Sequence, residues 1–290
     1  MRTHRTIWYV TGVVVVFTAV FLTARKAGEE PGDIGAPPAR VPSEREKADI
    51  DRMLSLLGDD PSMENAATCA AVRSVAALGG RGGLDTAETL YAMGLRDRLD
   101  GSFDTAERAY RRAIALKPDW SWPYVALGIM LGNHAEGRAI EAEEAFRTAI
   151  RLDPEWSRPH NDLAILLRLN DRLDEAEQEA RIALSLDPDN VANRNNYGNL
   201  LTVQERLDEA EGEYRAAIRL DPSHPKPYYN LACLYSLRHE KAKALPLLKK
   251  AIALNPDLRE DAAKDPDLDN IRDDPEFRAL VYGAEPADKR

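Results

Sequence analysis

The chain of 290 residues has little cysteine: Cys69 and Cys233 are the whole complement, and nothing in their spacing pairs them. Two cysteines cannot supply the disulfide framework of a small secreted domain, and they leave the compartment undecided. Histidine is equally sparse. His4, His134, His160, His224 and His239 are dispersed, and none lies three or four residues from another histidine or a cysteine. That excludes the spacing of a zinc site. No nucleophile elbow, phosphate loop or dinucleotide fingerprint occurs. The sequence therefore nominates no catalytic residue, no cofactor-binding residue and no metal ligand, and the chain does not read as an enzyme. Positive charge is also short, with 39 Lys and Arg against 49 Asp and Glu, a net charge of −10. A nucleic-acid partner needs basic stripes, which are missing.

One acidic cluster needs a separate reading. Asp265, Asp267, Asp269, Asp273 and Glu276 match the oxygen-ligand spacing of a twelve-residue calcium loop. Asn270 stands where the loop needs glycine, Arg272 where it takes an apolar residue, and Pro266 and Pro275 stiffen the window. A capping tail is the preferred reading.

What the chain does have begins with an apolar run, Ile7 to Leu22, flanked by MRTHR and by Arg25-Lys26. With its neighbours it reaches the roughly 17 to 25 residues of a membrane span. Leu22-Thr23-Ala24 is a poor cleavage site, so residues 1–26 are expected to be an uncleaved anchor, with a cleaved signal peptide as the alternative. The basic residues on the two flanks nearly balance, and a short N-terminal tail favours an extracytoplasmic position for the rest. Residues 27–42, rich in Gly and Pro, read as a linker. Residues 43–85 read as a helical pair covering the start of the next segment.

In that segment a proline recurs at Pro118, Pro154, Pro188, Pro222 and Pro256, at intervals of 36, 34, 34 and 34. A fixed period of this size marks a repeat array. Twelve residues before each proline stands Ala106, Ala142, Ala176, Ala210 or Ala244, and five before stands Ala113, Ala149, Ala183, Ala217 or Ala251. Twenty-four before, the residue is always small: Gly94, Gly128, Ala164, Gly198, Ala232. Eight before, it is large in most copies: Tyr110, Phe146, Tyr214 and Leu248, with Ala180 the exception. Helical spacing within each half predicts two helices per unit, the proline ending the second. Asp104, Asp174 and Asp208, each with a glutamate three residues later (Glu107, Glu177, Glu211), predict acidic capping boxes at the second helices. Two extra residues in the second unit are expected in its inter-helix loop, near 133–138.

These positions resemble the tetratricopeptide repeat, over roughly 60% of the chain. The resemblance implies an all-α helix-turn-helix solenoid, a right-handed superhelix, with five repeats across 86–258 (87–120, 121–156, 157–190, 191–224 and 225–258). Residues 259–290 would be a C-terminal cap and tail.

In that family the first helices line the concave face. The implied groove residues in the last three repeats are Arg158, Asn161, Asp162 and Arg168, then Asn195, Asn196 and Asn199, then Lys226, Tyr229 and Asn230. Asp162, Asn196 and Asn230 share one repeat position. A row of amides there would grip an extended peptide's backbone; the alternative is that they brace the adjacent repeat. Tyr91, Leu95, Trp122, Val125 and Ile129 make the first two repeats apolar, suited to a hydrophobic ligand or to self-packing. Trp120 and Trp156 share a position that reads as turn packing. No lysine stands at the fifth position of any repeat, so a two-carboxylate clamp is not supported.

The expected function is a single-pass, membrane-anchored scaffold that binds a protein or extended peptide during cell-envelope assembly. A soluble exported binding protein is the second reading, and a regulatory subunit of an enzyme the third.

Overall fold

The computed structural model describes residues 40–59, 66–80, 83–134 and 137–283. These residues contain helices and turns and no strand. The anchor expected over 1–26, and the linker as far as residue 39, lie outside them. Among the described residues no helix is long and apolar enough to cross a membrane.

The chain divides into two compact units, with the boundary between Asn170 and Asp171. The first holds α1 (Glu44–Asp59), α2 (Ala66–Gly80), α3 (Ala87–Leu99), α4 (Phe103–Leu116), α5 (Ser121–His134), α6 (Ala139–Leu152) and α7 (Ser157–Leu169). The second holds α8 (Leu173–Leu186), α9 (Val191–Val203), α10 (Leu207–Leu220), α11 (Pro225–Leu237) and α12 (Lys241–Leu254). It closes with α13 (Leu258–Lys264), a 3-10 helix (Pro266–Ile271) and α14 (Pro275–Tyr282).

The periodic alanines form the seams between helices. All ten, from Ala106 to Ala251, are completely buried. The small residue of each first helix lets an aromatic ring lie on the backbone. A methyl group at Gly94 would collide with the Tyr110 ring, one at Gly128 would meet the Phe146 ring at 2.7 Å, and one at Gly198 the Tyr214 ring at 2.6 Å. Where the small residue is Ala232, the partner helix carries the slimmer Leu248, and both are fully buried.

Each second helix ends one residue before its Pro-containing turn. Lys117, Asp153, Asp187, Asp221 and Asn255 leave the helical region, with φ near −140° and ψ between 76° and 103°. This is the geometry that a following proline imposes. Each then begins a β-turn with proline second, closed by bonds such as Trp120 N–H to Lys117 C=O at 3.2 Å and Trp156 N–H to Asp153 C=O at 3.3 Å. The turns inside the pairs reverse through a left-handed residue at one repeat position: Gly101, Gly137, Asp171, Glu205 and His239, with φ of 76°, 78°, 61°, 62° and 60°. The two extra residues of the second repeat are shared. One lengthens α5 to 14 residues against 13 in α3, α7, α9 and α11, and the other lengthens the following turn to four.

The expected acidic capping boxes do not form. Ser102, Arg172 and Arg206 are the N-caps of α4, α8 and α10, and none makes a side-chain cap bond. Asp104, Asp174 and Asp208 lie inside the first turn, where a carboxylate still complements the helix dipole. The glutamates accept from arginines of the following repeat. Arg138 donates two bonds of 2.8 Å to Glu107, Arg206 reaches Glu177 at 2.6 Å, and Arg238 reaches Glu211 at 2.8 Å. A charge-assisted bond to a guanidinium outcompetes a reach back to the chain's own amide.

The N-terminal pair packs in sequence, α1 on α2 and α2 on α3. At the other end the 3-10 helix lies on α11, with α13 and α14 against α12. Leu268, Ile271 and Phe277 are buried there. Two carboxylates of the calcium-like spacing, Asp265 and Asp269, serve this cap together with the neighbouring Asp274. Asp265 accepts from the Asp267 amide at 2.9 Å and the Tyr229 hydroxyl at 2.8 Å, Asp269 accepts from Arg272 at 2.8 Å, and Asp274 caps α14 through the Glu276 amide. Among the described residues no three His, Cys, Asp or Glu are placed to hold a metal ion.

Candidate functional site

In the first unit, α3, α5 and α7 lie side by side and turn one face towards a cavity of about 270 Å³. Tyr91, Leu95 and Arg98 come from α3; Trp122, Val125, Ala126 and Ile129 from α5; Arg158 from α7. Leu57 at the end of α1 closes one side, and Asp153 and Trp156 reach in from the turn before α7. The apolar residues singled out in the first two repeats are thus brought together. Self-packing and ligand space coexist here: Leu57 brings the N-terminal pair onto the face, and a cavity remains.

Aromatic rings form the wall. Trp120 meets Tyr91 edge-on with centroids 5.0 Å apart; Trp120 lies 6.0 Å from Trp122, and Trp122 lies 6.1 Å from Trp156. Three of the chain's four tryptophans therefore stand in one cluster. Trp156, read from its position as turn packing, lines the cavity. Its repeat equivalent Trp120 stays behind Tyr91 and under the Lys117 ammonium, which lies 5.2 Å from the ring.

Charge gathers at the same place. Burial pushes the Tyr91 phenol up to about 12, while the Arg158 and Arg98 guanidinium groups act against that rise. Burial also raises Asp162, opposed by Arg158, whose Nε lies 3.4 Å from the carboxylate. Beneath the wall, the Tyr110 hydroxyl is fully buried and has no hydrogen-bond partner of good geometry. Burial raises its pKa, and the charge of Arg98 again pulls the other way.

The second unit treats the equivalent positions differently. The Asn230 amide donates to the side-chain oxygens of Asn195 and Asn199, both at 2.9 Å. The Tyr214 hydroxyl donates to Asn199 at 2.8 Å and pairs with Thr202 at 3.0 Å. This net joins α9, α10 and α11. Asn195 and Asn199 are buried, as is Tyr229, whose hydroxyl is committed to Asp265 in the cap. Of the other residues expected to grip a peptide, Asn161 is buried, Asp162, Arg168, Asn196 and Lys226 are half-buried, and Arg158 alone lines the cavity.

Tetratricopeptide repeat family models match residues 135–191, 161–225 and 213–245. Residues 135–245 are tetratricopeptide repeats. Two solved structures share the fold. TTC0263, a thermophilic tetratricopeptide protein of Thermus thermophilus, is 20% identical with a TM-score of 0.54, over 68% of this chain and 99% of its own. The anaphase-promoting complex hetero-tetramer Cut9-Hcn1 is 16% identical with a TM-score of 0.59, over 82% of this chain and 50% of its own. No curated protein matches. At these identities the structural likeness speaks for the fold, a helical repeat solenoid, and the site must be argued from its own residues.

Proposed function

We propose that the chain is a membrane-anchored tetratricopeptide scaffold that holds a protein or extended peptide on its first-helix face, at a cell envelope. The observation that carries the binding reading is the open aromatic cavity on α3, α5 and α7. A largely apolar cavity with a few convergent polar groups is the usual form of a binding site. The array is read as five repeats, because the Gly94–Tyr110 and Gly128–Phe146 packing ahead of the matched stretch repeats that of Gly198–Tyr214 within it. Contact is assigned chiefly to the cavity, where Arg158 joins the apolar groove residues of the first two repeats and is the one member of the peptide-gripping set. The Asn195–Asn199–Asn230 net favours bracing over peptide gripping. The anchor rests on the apolar run Ile7 to Leu22.

Two experiments test this. A photo-crosslinking residue at position 129 should capture a discrete partner in cells, and Arg158→Glu, at a half-buried lining position, should abolish the product while leaving the melting temperature within a few degrees. An undiminished product would move the binding face elsewhere. In membrane fractionation, a high-pH wash should leave the chain in the pellet; release would replace the anchor with a cleaved signal and an exported protein.

A further inference from the structure

The cavity has a chemical asymmetry that a purely apolar ligand would not use. Its lining holds Trp122, Trp156, Ile129 and Leu95, and with them Arg98 and Arg158. Arg98 lies beside the Tyr110 hydroxyl and forms no ion pair with a carboxylate among the described residues. Arg158 engages Asp162 through Nε only, at 3.4 Å, beyond the reach of a strong charge-assisted bond. Asp153 lies on the same lining and supplies the one further charge. Arginine offers a planar fork suited to a carboxylate, and two forks within one cavity leave donors unused.

Size narrows the occupant. An engineered cavity of about 150 Å³ accepts benzene, so the roughly 270 Å³ here, at twice that volume, takes one large side chain and is too small for a helix. From shape and charge together we infer that the cavity takes an internal peptide segment with an aromatic side chain directly followed by an acidic residue. The ring enters between Trp122, Trp156 and Ile129, and the carboxylate meets Arg98 and Arg158. This rests on the peptide-holding reading above and specifies its ligand.

The test uses the full chain in detergent and a fluorescein-labelled, C-terminally amidated decamer of Gly and Ser carrying one Phe-Asp pair. Amidation removes the terminal carboxylate, and the fluorescein anion is common to every peptide of the set, so differences among them report the aspartate and the ring. Binding is read by anisotropy and by the change in tryptophan emission, which the cavity cluster dominates. Replacing Asp with Asn, or Phe with Ala, in the peptide should each weaken binding about tenfold or more, the usual worth of a charge-assisted bond or a buried ring. Arg98→Gln should weaken the Phe-Asp peptide to the same degree and leave the Phe-Asn peptide unaffected. Arg98→Lys, which keeps the charge without the fork, should recover part of the loss.

Equal binding of the Phe-Asp and Phe-Asn peptides would overturn the acidic requirement. So would an Arg98→Gln protein that melts like the parent and binds like it. If 3-phenylpropionate alone competes as strongly as the peptide, the site is one for small acids and the peptide assignment falls. If no peptide of the set binds while the residue-129 crosslink still forms, this inference fails and the general reading stands. If both fail, both fall.

Discussion

The α3–α4–α5 region and the α9–α10–α11 region share one template and end with opposite linings. Tyr91 corresponds to Asn195, Leu95 to Asn199, Arg98 to Thr202 and Ala126 to Asn230. In the second region the Asn230 amide fills the space beside Asn195 and Asn199 and ties one repeat to the next. In the first, Ala126 offers only a methyl group opposite Tyr91 and Leu95, and a cavity opens. The same change strands the Tyr110 hydroxyl, because Leu95 cannot accept the bond that Asn199 accepts from Tyr214. Backbone packing and groove chemistry are thus separable: the Gly–aromatic seam is common to both, and a few groove positions decide between a brace and a pocket.

The largest expected effect should leave the comparison untouched, because it strikes the shared seam. Gly94→Ala and Gly198→Ala each push a methyl group into a ring within 2.6 Å, and overpacking of this kind costs about 1–3 kcal/mol. Denaturant unfolding should find the two alike; a clear difference would mean that the seams are not equivalent. Next, Asn230→Ala takes the donor from the buried Asn195 oxygen and one of two donors from Asn199, and should cost about 1–2 kcal/mol. The matched Ala126→Asn should change stability little and abolish ligand capture, as it puts an amide into the cavity. A stable, capture-competent Ala126→Asn protein would break the comparison.

Smaller still is the tyrosine pair. Tyr214→Phe should cost about 1 kcal/mol by taking one of two donors from Asn199 and a partner from Thr202, whereas Tyr110→Phe removes a hydroxyl with no well-formed hydrogen bond and should be neutral or stabilising. Equal melting shifts would show that Tyr110 has a partner after all. The smallest effect is acidic. Hydrogen bonds from Arg138 hold Glu107 down from 4.5 to about 2, against a smaller burial effect. A depressed carboxylate stabilises the fold above its unfolded value and loses that contribution as pH falls through the folded one. Arg138→Gln should therefore flatten the stability slope between about pH 4.5 and 2, with little change in that slope near neutrality.

Much of the fold was readable because the seam residues carry their reason in their size. An alanine that recurs every 34 residues marks a place where nothing larger fits, whatever surrounds it. Sites that depend on a neighbour were harder. Whether Asn230 faces a peptide or the adjacent helix turns on residues 195 and 199 of the preceding repeat, and no single-repeat pattern shows this. Asp-x-x-Glu before a helix fits a capping box and an inter-repeat ion pair equally well; Arg138, Arg206 and Arg238, in register one repeat later, were the available signal. Trp156 stands in the turn that its repeat position predicts, and that this turn also brings its ring to α5 and the cavity emerges only when helices are laid side by side.

The cap on α11 and α12 has a consequence for how such a chain can change in length. The 3-10 helix is fitted to particular residues: Asp265 to the Tyr229 hydroxyl, and Asn270 to the Ser236 carbonyl at 2.9 Å. A repeat added after α12 would separate the cap from the surface it is cut to fit. Growth or loss of repeats is therefore confined to the interior of the array, and the last pair of helices is inherited together with its lid.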